Sequence, residues 1–130
     1  MERWLGKCSE VAYTLMRIVA GLLFACHGAQ KLLGLFGGIG RPLSPRLLAA
    51  GVIELVAGLL VALGLWAGYA GFLASGQMAV AYFIAHAPRG FWPIVNGGEL
   101  AVLYCFVFLF IASRGSGRFS VGAAAKKIRR

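Results

Sequence analysis

Long apolar runs alternate along the chain with short polar or glycine-rich breaks. The runs extend from about Val11 to Leu33, Arg46 to Trp66, Tyr69 to Ala87 and Val95 to Ser113. Each is close to the ~20 residues an α-helix needs to cross a hydrocarbon core of about 30 Å. The breaks carry helix-stopping residues. Gly34–Pro45 (GLFGGIGRPLSP) reads as a loop, after which Ser44 or Pro45 opens the second helix. A tight turn with Gly68 within Trp66–Gly71 makes the second and third helices antiparallel neighbours. Pro88 stops the third helix, and Phe91-Trp92 in the break Pro88–Gly98 suit the headgroup level. The opening MERWLGKCSE is polar, with Trp4 as an interfacial anchor. The first run is too long for a cleavable signal, is interrupted by Arg17 and has no small-residue cleavage site after it. These features predict an all-α fold: one polytopic membrane domain over residues 1–130, a bundle of four transmembrane helices with a tail from Gly115.

Polar residues inside the runs carry the functional information. The stretch Leu22–Phe36 is broken by His27, Gln30 and Lys31, and the other embedded or edging polar groups are Glu54, His86, Arg89, Asn96 and Glu99. With the helices running alternately up and down, all of them fall at similar depth in one half of the bilayer. Met78, Tyr82, His86 and Arg89 share a stripe on the third helix, whereas Gln77 points roughly the other way and is left outside the cluster. Arg17, about two turns into the first helix, is expected to snorkel to the near surface. Lys31, Arg89, Glu54 and Glu99 would each cost about 2.5–3.5 kcal/mol at the bilayer centre, so two cations and two carboxylates are expected to neutralise one another across helices. The plain reading is structural glue. Buried ion pairs stabilise less well than apolar packing, however, and a ligand or proton-handling role is the sharper one. The two halves also echo each other: His27 and His86 each precede a cation by one turn, and Glu54-Leu-Val-Ala is answered by Glu99-Leu-Ala-Val.

Composition agrees with a bilayer. The chain is 60% hydrophobic and 13% charged, where a soluble domain carries about a quarter charged residues. The net charge of +9 gathers outside the apolar runs, chiefly at Arg114, Arg118, Lys126, Lys127, Arg129 and Arg130. With Arg3 and Lys7 these outnumber Arg41, Arg46 and Arg89 on the other side, which predicts both termini in the cytoplasm and the chain in the inner (plasma) membrane. The basic tail has the single aromatic Phe119 and not the interleaved aromatics of a base-stacking surface, so nucleic acid is not an expected partner. Cys8, Cys26 and Cys105 form no C-x-x-C and read as small apolar residues.

Three chemistries fit the cluster. A metal site would draw on two His and two Glu, but a helical di-iron site needs Glu-x-x-His, and Ala57 and Val102 stand where the His would be. Quinone or phenol binding fits better. His27, Lys31, His86 and Arg89 can donate to ring carbonyls, and Tyr82, Phe91 and Trp92 can pack the ring. Gln30 and Asn96 complete the binding set. Glu54, Glu99 and His27 are the candidates for proton transfer. Without a flavin or haem motif, such a chain would be one subunit of a larger system whose partner supplies electrons. It could also self-associate. The third chemistry is none: a transport or assembly role, or a membrane scaffold for redox and stress proteins with the cluster as salt bridges.

Several segments carry a family likeness. Leu15, Arg17, Gly21, His27, Gly28, Gln30, Lys31, Phe36 and Gly37-Gly38 in the first helix and loop, Gly51-x-x-Glu54 with Gly58, the run from Gln77 through His86-Ala87-Pro88-Arg89-Gly90-Phe91-Trp92-Pro93, and Asn96-Gly97-Gly98-Glu99 together resemble the DoxX family. The likeness covers roughly Leu15 to Ser120. It implies a four-helix inner-membrane protein, often described as an oxidoreductase subunit. The family name comes from a thiosulfate:quinone or quinol oxidase system, and relatives are linked to quinone detoxification and oxidative-stress defence. Gly122 stands where the family commonly has an acid.

Overall fold

The computed structural model describes residues 1–129; Arg130, the last of the basic tail residues, lies outside the described residues. Helix is the regular structure throughout them. In chain order the elements are α1 (Glu2–Leu5), a 3₁₀ turn (Gly6–Cys8), α2 (Ser9–Leu33), a 3₁₀ turn (Leu35–Gly37), α3 (Pro45–Leu63) and α4 (Ala67–Ala81). A π-helical turn (Tyr82–His86) and a 3₁₀ turn (Ala87–Arg89) continue α4. Then come α5 (Pro93–Asn96), α6 (Glu99–Arg114) and α7 (Val121–Ile128). Among the described residues the four long helices form a bundle. α2 packs chiefly on α3, α3 on α4 and α4 on α6, while α6 touches α2 to close the ring.

Local chemistry sets the helix ends. Ser44 caps α3 by accepting from the Leu47 amide at 3.3 Å, and Pro45 occupies the first turn, where its missing N–H costs nothing. Gly64 closes α3 with φ of 69°, a conformation that only glycine adopts cheaply. The third helix does not simply stop at Pro88. A proline cannot accept the α-helical pattern at its own position, and the preceding turn opens into a π turn that absorbs the mismatch. The fourth segment, expected as one helix from about Val95 to Ser113, is two. Gly97, at φ 72°, breaks the chain between α5 and α6.

Between α2 and α3 the helices pack backbone against backbone. Gly21 and Gly28 are seven residues apart on one helix, and Gly51 and Gly58 are seven apart on the other. The antiparallel crossing brings them together in pairs. A Cβ on Gly21 would sit 2.6 Å from the Gly58 carbonyl oxygen, one on Gly58 2.6 Å from that of Gly21, and one on Gly28 2.6 Å from that of Gly51. Small residues continue inward, with Ala20, Ala25, Ala29, Ala57, Ala67, Ala70 and Ala74 buried, whereas Leu22, Val56, Phe72 and Phe106 face outward. Small inside and large outside is the arrangement of a bundle whose surroundings are themselves apolar. Among the described residues two helical stretches are long and apolar enough to cross a membrane: Glu2–Leu33, with mean hydropathy 1.5, and Pro45–Leu63, with 2.1.

Arg17 does not snorkel. Its side chain is 1% exposed, and Nη1 donates to the Val61 and Ala62 carbonyls at 2.5 and 2.7 Å while Nη2 donates to the Phe119 carbonyl at 2.9 Å. The end of α3 leaves carbonyls without partners, and its dipole places negative charge there, so an interior site competes with water for the guanidinium. The same end of the bundle is tied by an ion pair between Glu10 and Arg114, by the Arg114 guanidinium 4.3 Å from the Tyr13 ring centre, and by Tyr13 donating to the Gly115 carbonyl at 2.5 Å. α7 starts against the α3 terminus, where the Gly122 amide donates to the Gly64 carbonyl at 3.3 Å. A Cβ on Gly122 would lie 2.7 Å from that carbonyl oxygen, so a larger residue would not fit here without a shift.

Candidate functional site

At the other end of the bundle a cavity of about 460 Å³ opens between α2, α3, α4 with its π turn, and α6. Its walls are apolar, including Phe24, Met78 and Tyr104, and its polar lining is His27, Lys31, Glu54, Gln77 and His86, with the exposed Arg41 and Arg46 at its edge.

Glu54 is the centre of this lining and is 2% exposed. The glycine crossing puts it there. Gly51, one turn earlier, lets α3 approach α2 so closely that a Cβ on it would lie 3.2 Å from the Cβ of Lys31. Lys31 is in the last turn of α2, where the helix dipole favours a cation, and its ammonium pairs with Glu54 Oε1. The same oxygen accepts from Gln77 Nε2 at 2.9 Å, and Gln77 Nε2 also approaches the Ala50 carbonyl at 3.4 Å. Two acceptors around one nitrogen fix the amide orientation, since a flip would set Gln77 Oε1 against a carboxylate. Two oxygens are then left buried with no partner: Glu54 Oε2 and Gln77 Oε1. His27 lies edge-on to Tyr104 with ring centres 6.4 Å apart, and Tyr104 stacks on Phe108 at 5.5 Å.

A second polar network holds the π turn to the following loop. Asn96, 4% exposed, donates to the Tyr82 hydroxyl at 3.2 Å and the Gly90 carbonyl at 2.6 Å, and accepts from the Gly98 amide at 2.8 Å. Tyr82 donates to the Phe91 carbonyl. His86 Nδ1 lies 3.3 Å from both the Asn96 carbonyl and Arg89 Nη2, and Arg89 also donates to the Ala85 carbonyl at 3.1 Å.

The residues expected to form one cluster therefore divide. His27, Lys31, Glu54 and His86 share the cavity, while Tyr82, Arg89 and Asn96 belong to the loop network, with His86 common to both. Trp92 and Glu99 are exposed and outside the cavity lining. Gln30 reaches only the Phe36 carbonyl, at 3.4 Å. Of the two cations and two carboxylates expected to neutralise one another, Lys31 and Glu54 pair, while Arg89 and Glu99 enter no ion pair; among the described residues the other pair is Glu10–Arg114. Gln77, left out on its facing, is in the site. α4 lies between α3 and α6, so its inward arc is wide enough for both Gln77 and Met78 to line the cavity. A lone glutamine in an apolar helix was itself the signal. Arg41 and Arg46, read only for topology, fold over the cavity edge. Among the described residues, no three His, Cys, Asp or Glu side chains gather closely enough to hold a metal ion.

The comparison with known proteins agrees with the likeness seen along the chain. The DoxX family model matches residues 12–87, a span that contains His27, Lys31, Glu54, Gln77 and His86 of the cavity lining. An uncharacterized protein of Haemophilus influenzae is 46% identical over 109 residues, covering 78% of this chain and 81% of that one. No solved structure matches the chain. The helices able to span a bilayer, the small-residue interior and the family match converge: this chain belongs to the DoxX family of membrane proteins.

Proposed function

We propose that the chain is a membrane subunit of a quinone-linked redox system and holds a quinone or a related small redox molecule in the cavity at Glu54. The observation that carries the reading is the pairing of apolar, aromatic walls with a polar end in about 460 Å³, a volume within the usual range of roughly 300–1,000 Å³ for small-molecule sites. Phe24, Met78 and Tyr104 suit the faces of a flat ring, and His27, Lys31 and His86 supply N–H donors. Glu54 and His27 are the groups to exchange protons with it. Trp92 and Glu99 fall outside this site, and Arg89 acts on it only through His86.

In this reading α2, α3, α4 with its extension to Arg89, and α6 all cross the inner membrane. Both termini lie in the cytoplasm, with the basic residues of the tail beside them. The cavity then sits in the outer half of the bilayer, and electrons come from a protein partner. Mass spectrometry of an organic extract from protein purified in mild detergent tests the reading. A quinone retained by the parent and lost from folded His27→Ala and Glu54→Gln variants supports it. Equal or absent quinone in all three overturns it in favour of a scaffold whose ion pair is structural.

A further inference from the structure

Beyond the ring ligand, we infer that the cavity seats an anionic phospholipid at its mouth, with the phosphate on Arg41 and Arg46 and an acyl chain against the apolar wall. Both arginines line the edge of the cavity and both are exposed. Neither enters an ion pair among the described residues. The chain has four acidic residues, and none neutralises them. Glu54 is held by Lys31, and Glu10 by Arg114 at the other end of the bundle. Glu2 belongs to α1 at that same far end, and Glu99 stands outside the cavity lining. Arg46 is also at the unfavourable end of its helix. It is the second residue of α3, whose first turn holds no acid, and the positive end of the helix dipole adds to its charge. Two guanidiniums on one cavity edge therefore leave positive charge that only an anion from outside the chain can offset.

The walls indicate what that anion is attached to. Leu47 follows Arg46 in the lining, and Val80 and Ile84 on the third segment and Leu100 on α6 line the cavity while remaining exposed. A wall of exposed apolar side chains opens to the surroundings, and around a membrane protein these are lipid chains. A free inorganic anion gains nothing from such a wall, whereas a lipid with its head group at the rim can lay a chain along it. Guanidinium suits phosphate, since it can bind two of the oxygens through parallel N–H bonds and keeps its charge at a bilayer surface. A zwitterionic head group brings its own ammonium, which two arginines repel; an anionic one such as phosphatidylglycerol brings none. The seat draws on Arg41, Arg46, Val80, Ile84 and Leu100, none of which the quinone reading uses, so each stands without the other.

The test offers the full chain, purified in dodecyl maltoside, equal amounts of oleoyl lysophosphatidylglycerol and oleoyl lysophosphatidylcholine, and counts the lipids retained by native mass spectrometry. The two probes share a chain and differ in head-group charge. The parent is expected to hold the anionic lipid about tenfold more tightly, the effect of one charge-assisted hydrogen bond. Arg41→Gln with Arg46→Gln should bring the preference within about twofold. Ala81→Phe fills the cavity and keeps both arginines, and should weaken both lipids by at least about fivefold. Gln at Arg118, Lys126 and Lys127 together removes charge from the opposite end and should leave the preference as it is. Each variant is first checked for a monodisperse elution profile, and the arginine pair, exposed and outside any ion pair among the described residues, decides the matter where Ala81→Phe fails to fold. No preference in the parent, a preference that survives loss of Arg41 and Arg46, or one that is lost with the tail charges overturns the seat. Full binding by folded Ala81→Phe places the chain elsewhere and overturns it too. Inorganic phosphate that displaces the lipid, where chloride at equal ionic strength does not, assigns the arginines to a free anion and overturns the lipid. Quinone in the organic extract is scored separately, so failure here leaves the ring site to its own test.

Discussion

The glycine pairs between α2 and α3 offer the sharpest test of how this bundle is held together. Alanine at Gly21 or Gly58 would place a Cβ 2.6 Å from a backbone oxygen of the facing helix, and ordinary contact begins near 3.4 Å. The helices must part by about 0.8 Å, and neither backbone can rotate out of the way as a side chain could. Overpacking of this kind costs about 1–3 kcal/mol. Against it stands the helix propensity of alanine over glycine, at most about 1 kcal/mol and less in a bundle whose helices persist when separated. Packing wins, and each variant should lose about 1–2 kcal/mol. Gly76 is the internal control: it lies in the interior of α4 with nothing within 4 Å of its would-be Cβ, so Gly76→Ala should be neutral or stabilise by up to about 1 kcal/mol. Because Gly21 and Gly58 face one another, one separation relieves both clashes, and the double variant should cost less than the sum of the two. SDS titration in mixed micelles, followed by tryptophan fluorescence, reads these differences while leaving helices formed. Gly21→Ala and Gly58→Ala proteins as stable as Gly76→Ala would refute the crossing.

Other substitutions test the polar groups with the same titration. Lys31→Met strips the counter-charge from a carboxylate whose side chain is 3% exposed, whereas Glu54→Gln leaves an ammonium whose side chain is 20% exposed and can reach water. The first should cost about 3 kcal/mol and the second about 1, and the reverse order would contradict the burial of Glu54. Arg17→Met removes three charge-assisted bonds at the end of α3 and should cost about 2–4 kcal/mol. Arg17→Lys should recover less than half of that, because an ammonium cannot span the Val61 and Phe119 carbonyls as a planar fork does; full rescue would show that charge alone matters. Asn96→Ala should cost about 2 kcal/mol and speed amide exchange at Gly98, whose N–H loses its acceptor. Unchanged exchange there would place the loop's stability elsewhere.

Helix content and a membrane setting are legible in the chain because they depend on properties summed over whole segments. Runs of about 20 apolar residues have no cheaper structure in a bilayer than a helix, and the breaks at Gly34–Pro45 and Pro88–Gly98 use residues whose backbone limits are local. The turn expected at Gly68 is made instead by Gly64, in the left-handed conformation, and Gly68 lies inside α4. The polar residues His27, Lys31, Glu54 and His86 stand out by the same argument, since each is costly wherever the helix lies. Which of them meet is another matter. A helical wheel assumes one continuous pitch and one inward stripe, but the π turn before Pro88 shifts the register of Tyr82–His86, the break at Gly97 detaches Asn96 from Glu99, and α4 turns an arc of two neighbouring positions inward. Gln77 enters the site and Glu99 leaves it for those reasons. Arg17 follows the same logic. Distance to the surface suggests snorkelling, but the end of α3, turned in by Gly64, supplies carbonyls that are nearer. Hydropathy sets where the chain becomes helix and in what solvent; the partner of each buried charge depends on how closely the helices pack, and that rests on Gly21, Gly28, Gly51 and Gly58 meeting face to face.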